Sequence, residues 1–485
     1  MVADGTRKRV AVVGGGISGI TIASLLSGSV PVNGVADRVG SSRSVSSPIP
    51  RAHDVVLFER EGRIGGHTNT IVIPDGPDAG ASVDTGFIVC NPVNYPHFYR
   101  FLDLLEVPRR DAEMTFGFFD EASGLQYRGP DLIDLLRSPG NFLRPSFCRM
   151  IMEQRRFNRR ALEDLRSGRL RNETLGDYVR ALNLSDVFIA HYLIPLAASI
   201  WSSPDAHILE FPAVTFLTFF RNHGMLELHT RPQWQTVIGG SHTYLRAFER
   251  IFRGTIRTDA PVCKIVRDAA QGGVVLTLGN GTDMAEARAG LNTERFDAVI
   301  LACHADEALA LLADPSPAEQ AALGSWRYHR NRTILHTDTS IMPPRRHLWA
   351  SWNYSLRGKS AGDSARQITT PIPCSRQEQL PTAPVSITYS MNRLQGLRTA
   401  REYLVTLNPA VRPREETIIY ETVYTHPEYT TRSVASQHEI AALQGERNTF
   451  YCGAHLRYGF HEDGVVSALA VANTWGIAGF GSQGG

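Results

Sequence analysis

The sequence predicts an α/β fold built on a buried parallel sheet, and three observations lead to that class. An apolar strand at residues 10–13 runs directly into a glycine-rich turn and an apolar helix. A second apolar strand, at 54–59, ends on the acidic residue Glu59. Two further strands of the same apolar type recur at 296–302 and 449–453. Strands that are apolar along almost their whole length are typical of a parallel sheet covered on both faces.

The remaining elements follow in chain order. Apolar periodicity predicts helices over 20–26, 94–106, 146–168, 174–183 and 464–475. Short β-type runs predict strands at 255–257 and 274–278. Two stretches rich in Ser, Gly and Pro lack periodicity, and we expect them to be flexible insertions at 28–52 and 357–384.

Composition excludes several classes of protein. The chain has 485 residues, 42% of them apolar and 20% charged, which is ordinary for a globular protein of more than one domain. A net charge of +2 gives no overall field that would favour nucleic acid. The six cysteines show neither zinc nor disulfide spacing, and no other metal cluster or Ser-His-Asp triad stands out. Without a signal peptide or a long apolar run, we expect a cytoplasmic protein with no transmembrane helix.

The glycine-rich turn has the pattern of a dinucleotide site. Gly14 permits the tight turn, Gly16 lets the backbone approach a pyrophosphate, and Gly19 allows close packing of helix on strand. Ile17 and Ser18 open the helix, whose free N–H groups and positive dipole end face the phosphates. The alternative is a glycine turn that binds nothing, but the order of strand, triplet, helix, strand and acid favours the nucleotide site.

Glu59 has the position of the carboxylate that binds a ribose. It follows Gly19 by forty residues, later than usual, because the 28–52 insertion intervenes. The next segment, Arg63-Ile64-Gly65-Gly66-His67-Thr68, suggests FAD in place of NAD. Its two glycines allow the chain to fold back toward the pyrophosphate, and Arg63 supplies positive charge. An ordinary glycine turn is the alternative interpretation.

The C-terminal region carries a second glycine motif. The strand at 449–453 ends at Gly453, and Asp463-Gly464 opens the last helix, with Val465 next. An acidic residue and a glycine at a helix N-terminus suit the ribityl chain and a carbonyl of a flavin.

Together these features resemble the flavin-containing amine oxidase superfamily, which includes monoamine oxidases, protoporphyrinogen oxidase, phytoene desaturases and a fatty acid isomerase. Within it, the chain is most similar to the FAD-dependent oxidase domain fused to plant cyclopropane fatty acid synthases and to the stand-alone NAD/FAD-binding relatives of that domain. The blocks that carry this narrower resemblance are 84–89, 199–202, 220–223, 231–234, 241–244 and 458–464.

The resemblance implies a Rossmann-type FAD-binding domain interleaved with an α+β substrate domain, as in the amine oxidase and glutathione reductase folds. We expect the FAD domain at 1–110, 228–312 and 440–485, and the substrate domain at 111–227 and 313–439. The resemblance also implies a role for each of several residues. At the adenosine end, Glu59 would bind the ribose and Val262 would touch adenine. Arg63 and His67 would lie by the pyrophosphate. At the flavin end, Asp463 would contact the ribityl–phosphate arm, and Gly464 and Val465 would present N–H groups to the flavin.

The chemistry is less closely defined. Many amine oxidases of this superfamily carry a lysine near the flavin, but the corresponding stretch, 327–336, has none. His461, Phe460 and Tyr458 are the candidates for a role beside the flavin. Trp201, Phe220 and Trp234 are candidates for an apolar substrate wall, although for any one of them core packing is the simpler interpretation.

Three functions remain open. The first is an FAD-dependent desaturase, dehydrogenase or double-bond isomerase that acts on a lipid or fatty acyl chain by hydride transfer. The second is a flavin amine oxidase. The third is an FAD-bound accessory subunit of a lipid methyltransferase. We expect non-covalent FAD, because Cys452 lies in the final strand and not where flavinylated relatives carry their cysteine.

A basic segment suggests one further partner. Between residues 137 and 171 there are ten arginines and three acids. An imperfect apolar stripe, Phe147, Met150/Ile151, Ala161/Leu162 and Leu165, lies beside the basic face at helical spacing. The stripe would either pack on the substrate domain or dock the protein peripherally on anionic lipid.

Overall fold

A five-stranded parallel sheet forms the centre of the structure. We describe a computed structural model that covers residues 7–34, 52–129, 132–203, 205–227, 232–268, 272–279, 292–357 and 386–480. In spatial order, the strands of the sheet are Thr255–Arg257, Asp54–Phe58, Arg9–Val13, Ala298–Leu301 and Thr449–Tyr451. The middle strand is buried beyond its first residue. The predicted α/β class is therefore confirmed.

A seven-stranded mixed sheet forms the second layer. Its strands, in spatial order, are Ile418–Pro427, Tyr328–His336, Leu404–Leu407, Ile387–Ser390, Trp352–Leu356, Phe116–Asp120 and Leu125–Gly129. All neighbours in it are antiparallel except Trp352–Leu356 and Phe116–Asp120, which are parallel. These strands belong to the segments that the sequence assigns to the substrate domain, whereas the parallel sheet belongs to the FAD segments. The domain boundaries themselves stay a prediction.

Smaller sheets connect these layers. Two are three-stranded and antiparallel: Val262–Arg267, Val274–Leu278 and Asn292–Phe296; and Val89–Cys90, Gln235–Val237 and Arg109–Asp111. Two are pairs: Thr70–Val72 with Ser82–Asp84, and Val32–Gly34 with Ile477–Phe480.

Helices share a hydrophobic core with one face of the parallel sheet, and the three-stranded sheet of residues 262–296 shares a core with the other face. The described α-helices are Ile17–Leu26, Pro96–Leu104, Leu132–Leu136, Pro145–Ser167, Leu175–Ala181, Asp186–Phe188, Ile194–Trp201, Asp205–Ile208, Ala213–Asn222, His242–Ile251, Ala305–Leu311, Pro317–Leu323, Met391–Leu394, Thr431–Ala442 and His461–Thr474. None of the helices in the described ranges is both long and apolar enough to cross a membrane.

Part of the first predicted insertion is a strand. Residues 32–34 of the first insertion form a strand that pairs with the last strand, Ile477–Phe480, which the sequence pattern did not predict. The rest of that insertion, from 35 to 51, lies outside the described residues, and so does 358–384 of the second.

The apolar stripe of the long basic helix, Pro145–Ser167, faces the protein. Phe147, Met150, Phe157 and Ala161 are at most 1% exposed and belong to the main hydrophobic core. The stripe is therefore packed, as the first of the two alternatives predicts. The other members, Ile151, Leu162 and Leu165, are partly buried against the same core. Peripheral contact of this basic helix with a lipid surface stays a prediction.

Candidate active site

A cleft of about 580 Å³ runs between the parallel sheet and the mixed sheet. Its lining includes most of the predicted cofactor residues: Gly14, Gly16, Ile17, Ser18, Glu59, Arg63, Gly65, Gly66, His67, Val262 and Gly453. Of the predicted residues beside the flavin or substrate, it includes Trp201, Trp234, Phe460 and His461.

The first glycine turn has the geometry that a dinucleotide requires. Gly14 has φ +109°, and a β-carbon there would lie 2.7 Å from the carbonyl oxygen of Ala302. A β-carbon at Gly19 would lie 1.9 Å from the carbonyl oxygen of Gly14, so the helix can approach the strand only with glycine there. At Gly16, by contrast, a β-carbon would meet nothing within 4 Å. Gly16 therefore borders open space at the start of the helix.

The helix that follows presents unpaired backbone donors. It begins at Ile17, its N-cap is Gly16, and no side chain caps it. Its first N–H groups therefore remain available to phosphate oxygens, and the helix dipole favours negative charge there.

Glu59 lies at the end of the adjacent strand and is held in place by backbone groups. The Gly15 N–H donates to Glu59 Oε2 (2.8 Å), and the Glu61 N–H donates to Glu59 Oε1 (3.0 Å). The carboxylate is thus fixed at the rim of the cleft, where a ribose hydroxyl could donate to it.

The loop at 63–68 is joined to the glycine turn. The Gly65 N–H donates to the Gly15 carbonyl oxygen (2.8 Å), and a β-carbon at Gly66 would lie 3.4 Å from the Gly16 α-carbon. Arg63 donates to the carbonyl oxygens of Thr68 (3.0 Å) and Gly66 (3.2 Å), so its guanidinium shapes this loop.

His67 projects toward the mixed sheet. Its ring stacks on that of Tyr424 (centroids 5.0 Å apart, planes at 27°) and lies 5.2 Å from the ring of His426. Burial, with a smaller effect from His304, lowers the pKa of His67 to about 4. Its Nε2 is buried and has no hydrogen-bond partner among the described residues. A buried ring nitrogen without a partner is a polar group that a bound ligand could satisfy.

The C-terminal helix begins at a carboxylate that caps it. Asp463 Oδ2 accepts a hydrogen bond from the Phe460 N–H (2.9 Å) and thereby caps the helix. Asp463 does not line the cleft, and burial raises the pKa of its carboxyl to about 7. Its contact with the ribityl–phosphate arm stays a prediction, and in this structure the carboxylate bonds to the N-terminus of its own helix. Gly464 and Val465 are also buried away from the cleft.

His461 takes part in a buried polar network. Its Nε2 lies 3.0 Å from Thr68 Oγ1, which in turn lies 2.5 Å from the Tyr244 hydroxyl. Its ring stacks on Phe87 (centroids 3.6 Å apart, planes at 17°). Burial is the main reason that the pKa of His461 falls to about 3. His461 is therefore neutral at pH 7 and rigidly held, while Thr68 lies behind it and not in the cleft lining.

The predicted aromatic residues divide into two groups. Trp201 and Phe460 line the cleft, and both rings contact Phe219 (centroids 4.6 and 4.9 Å). Phe220 is 1% exposed, packs in the core and is not among the residues that line the cleft. Tyr458 also lies outside the lining, and its carbonyl oxygen accepts the Trp201 indole N–H (3.0 Å). Tyr458 therefore positions Trp201 through its backbone.

Sequence reasoning missed the wall that the mixed sheet contributes. Residues 422–427 of one edge strand line the cleft, together with Trp352, Tyr389 and Leu407 from other strands. The strand at 418–427 carries Tyr420, Thr422, Tyr424 and His426 at alternate positions, which places their side chains on one face. That alternation is the signal that could have revealed them.

The cleft as a whole fits a dinucleotide with a reactive ring. One end of the cleft carries the glycine turn beside open space, the free helix N-terminus, the fixed carboxylate of Glu59 and Val262. Aromatic side chains line the other end. This combination defines a flavoprotein of the Rossmann-type, two-layer class.

Comparison with known proteins agrees with this class. The family model for flavin-containing amine oxidoreductases matches residues 17–375. The chain therefore belongs to the flavin-containing amine oxidoreductase family, and it is an FAD-dependent oxidoreductase. No curated protein matches the chain.

Solved structures share the fold across nearly the whole chain. The CLA-producing fatty acid isomerase from P. acnes is 15% identical, with a TM-score of 0.61 over 96% of this chain and 98% of that one. The cyclohexylamine oxidase from Brevibacterium oxydans is 14% identical, with a TM-score of 0.61 over 97% and 99%. At such identities the likeness establishes the fold and not the substrate.

Proposed function

We propose that this oxidoreductase acts on an apolar carbon chain, such as the unsaturated acyl chain of a lipid, and holds FAD without a covalent bond. The observation that carries the proposal is the segregation of charge along the cleft. The wall beyond the glycine turns is apolar or aromatic: Ile88, Val89, Tyr95, Met114, Ile200, Trp201, Trp234, Trp352, Tyr389, Leu407 and Phe460.

The formal charges lie at the other end. Among the described residues, the acids and bases that line the cleft are Glu59, Arg60, Glu61, Arg63 and Glu307. All of them belong to the nucleotide end, where Arg60 pairs with Glu307 (2.8 Å). A substrate in the aromatic part would therefore be recognised by apolar contact.

The histidines along the cleft add no positive charge at neutral pH. Burial is the largest cause of a lowered pKa at each of His67, His304, His426, His455 and His461. An uncharged wall suits a hydrocarbon chain, because no charge has to be desolvated when the chain enters.

Several residues of this chain would hold the cofactor. Glu59 would bind the ribose, the helix that begins at Ile17 would bind the pyrophosphate, and His67 Nε2 would bond to a polar atom of the ligand. When bound, FAD supplies the acceptor for a hydride. Phe460 and Trp201 would keep water away from the reacting carbon, and His461 would brace the loop at 63–68 through Thr68.

Amine oxidation is the second candidate, and the family name favours it. The sequence contains three lysines, and none of the described ones lines the cleft. The lysine found near the flavin of many amine oxidases therefore has no counterpart in the described lining.

The decisive experiment is a substrate screen of the purified flavoprotein without oxygen. The panel contains unsaturated fatty acids, phospholipids that carry the same acyl chains, saturated chains of equal length, and primary amines. We expect unsaturated lipids to bleach the flavin absorption, or to emerge with a shifted double bond on chromatography, while the saturated chains serve as matched controls. Bleaching by amines alone would replace the proposal with amine oxidation. If no compound reacts, the accessory-subunit hypothesis gains support and the proposed function is lost.

A further inference from the structure

Positive charge is concentrated in one segment of the chain. Residues 137–171 contain ten arginines and three acids, a net charge of +7, whereas the whole chain carries +2. The rest of the protein is therefore net negative by five charges. Most of the segment is the helix Pro145–Ser167 and the short 3₁₀ helix Pro139–Leu143 before it.

The acids of this segment are already paired. Glu153 pairs with Arg149 (3.0 Å), and Glu163 and Asp164 both pair with Arg160 (3.3 and 3.2 Å). Glu163 lies between Arg159 and Arg166 on the helix surface, but its carboxylate pairs with Arg160. These contacts leave a row of arginines without an acidic partner.

Three exposed arginines form that uncompensated row. Arg155, Arg159 and Arg166 have no hydrogen bond or ion pair with any residue that the structure describes. Their spacings of four and seven residues place them on one face of the helix. Met152, three residues before Arg155, lies on the same face and is 64% exposed.

Apolar side chains are exposed in the residues that lead into this helix. Leu143 directly precedes the N-cap of the long helix and is 87% exposed, the highest value among the large apolar residues of the described chain. Leu136, one short helix earlier, is 56% exposed. Exposed apolar side chains are unfavourable in water, and together with unpaired cations in the same segment they match a surface that offers both anions and hydrocarbon.

We propose that this face, defined by Leu136, Leu143, Met152, Arg155, Arg159 and Arg166, docks the protein on an anionic lipid bilayer. The arginines would lie at the level of the phosphate groups, and Leu143 and Met152 would enter the interface. Nucleic acid also offers phosphates, but it has no apolar layer for the exposed leucines and methionine. The docking face is separate from the apolar stripe that packs into the core, and it goes beyond the proposed chemistry.

Vesicle flotation with the full flavoprotein tests the proposal. Phosphatidylcholine vesicles with and without phosphatidylglycerol are compared at low and high salt. We expect binding only to the phosphatidylglycerol vesicles and release at high salt. Each basic residue at such a surface contributes about a fivefold gain in binding, so the triple variant R155Q/R159Q/R166Q should bind roughly a hundredfold less tightly. L143S/M152S should bind more weakly at every salt concentration.

Matched variants separate the face from charge in general. R246Q/R250Q/R253Q removes three exposed arginines from another helix region, and V93S/V411S removes two exposed valines (68% and 52% exposed). Both controls should bind vesicles like the unmodified protein, and the flavin spectrum of every variant confirms its folding. Equal losses in test and control variants would overturn the proposal. Retention on a heparin column without vesicle binding would also overturn it and point to another polyanion. Neither result depends on which substrate reduces the flavin.

Discussion

Gly464 in the C-terminal helix lies directly against Ile17 in the first helix. A β-carbon at position 464 would be 2.7 Å from Ile17 Cγ2 and 2.8 Å from Ser18 Oγ. The two glycine motifs, more than four hundred residues apart in the chain, therefore meet at one helix–helix contact. Gly464 allows this close packing of the two helices, and the role beside a flavin that the resemblance implies for it stays a prediction.

Replacing Gly464 by alanine should destabilise the protein. The added methyl group would overlap Ile17 and Ser18, and overpacking of a tight contact typically costs about 1–3 kcal/mol in the free energy of unfolding. Urea unfolding measures this loss. Gly140→Ala is the matched control, because nothing lies within 4 Å of its β-carbon position. Equal stability of the two variants would show that the helices can separate without cost.

Gly16→Ala should weaken flavin binding and leave protein stability nearly unchanged, in contrast to Gly464→Ala. Its backbone angle, φ −74°, suits any residue, and a β-carbon there meets nothing in the protein. The free energy of unfolding without flavin should therefore change little. Flavin retention should fall, because the methyl group would occupy the space that a pyrophosphate needs. Equilibrium dialysis followed by the flavin-to-protein absorbance ratio gives the readout. Full retention of flavin would mean that the pyrophosphate lies elsewhere.

Glu59→Ala should weaken FAD binding. A hydrogen bond to a charged group contributes about 1.5–3 kcal/mol, so the loss of one ribose contact should weaken binding about ten- to hundredfold. Glu59→Gln is the informative comparison, because it retains an acceptor for the Gly15 N–H and removes only the charge. We expect intermediate affinity for Gln in a dilution series. Unchanged flavin occupancy in both variants would give Glu59 a purely structural role in the turn.

The nucleotide end of the site could be predicted from sequence because its geometry is local. The turn from Gly14 to Gly19 and the carboxylate at Glu59 are each fixed by neighbouring backbone, so residue type and order suffice. The aromatic wall is different. Tyr424 and Trp352 reach the cleft through the register of a sheet whose strands are far apart in the chain. No local pattern specifies that register.

Asp463 illustrates a second limit of sequence reasoning. An acidic residue before a glycine at a helix start can bind a ligand, or it can cap its own helix. Both uses have the same sequence signature. Here the Phe460 N–H lies within hydrogen-bond distance and takes the carboxylate. Only the orientation of the side chain distinguishes the two uses.

Acid precipitation should release all of the flavin into the supernatant. A covalent thioether would need a reactive thiolate beside the ring, and burial raises the pKa of Cys452 to about 12. Cys303 does line the cleft, but burial also raises the pKa of its thiol well above the ordinary value. Colour that stays in the pellet of the unmodified protein would contradict this. The variants Cys303→Ser and Cys452→Ser would then identify the attached residue.

Stability should fall as the pH drops from about 6.5 to about 4, and His336 should account for one proton of that effect. His336 is fully buried, its Nε2 lies 2.8 Å from Thr406 Oγ1, and burial is the largest cause that lowers its pKa to about 4. In the unfolded chain the same imidazole takes up a proton near pH 6.5. Between these values the unfolded state binds the extra proton, so the free energy of unfolding decreases as pH falls, by about 1.4 kcal/mol per pH unit for one such group.

His336→Gln, which can retain a bond to Thr406, should reduce the slope of unfolding free energy against pH by that amount. His438→Gln, at an exposed position, should leave the slope unchanged. Urea unfolding at a series of pH values measures both slopes, and identical slopes for the two variants would show that His336 is protonated equally in the folded and unfolded states.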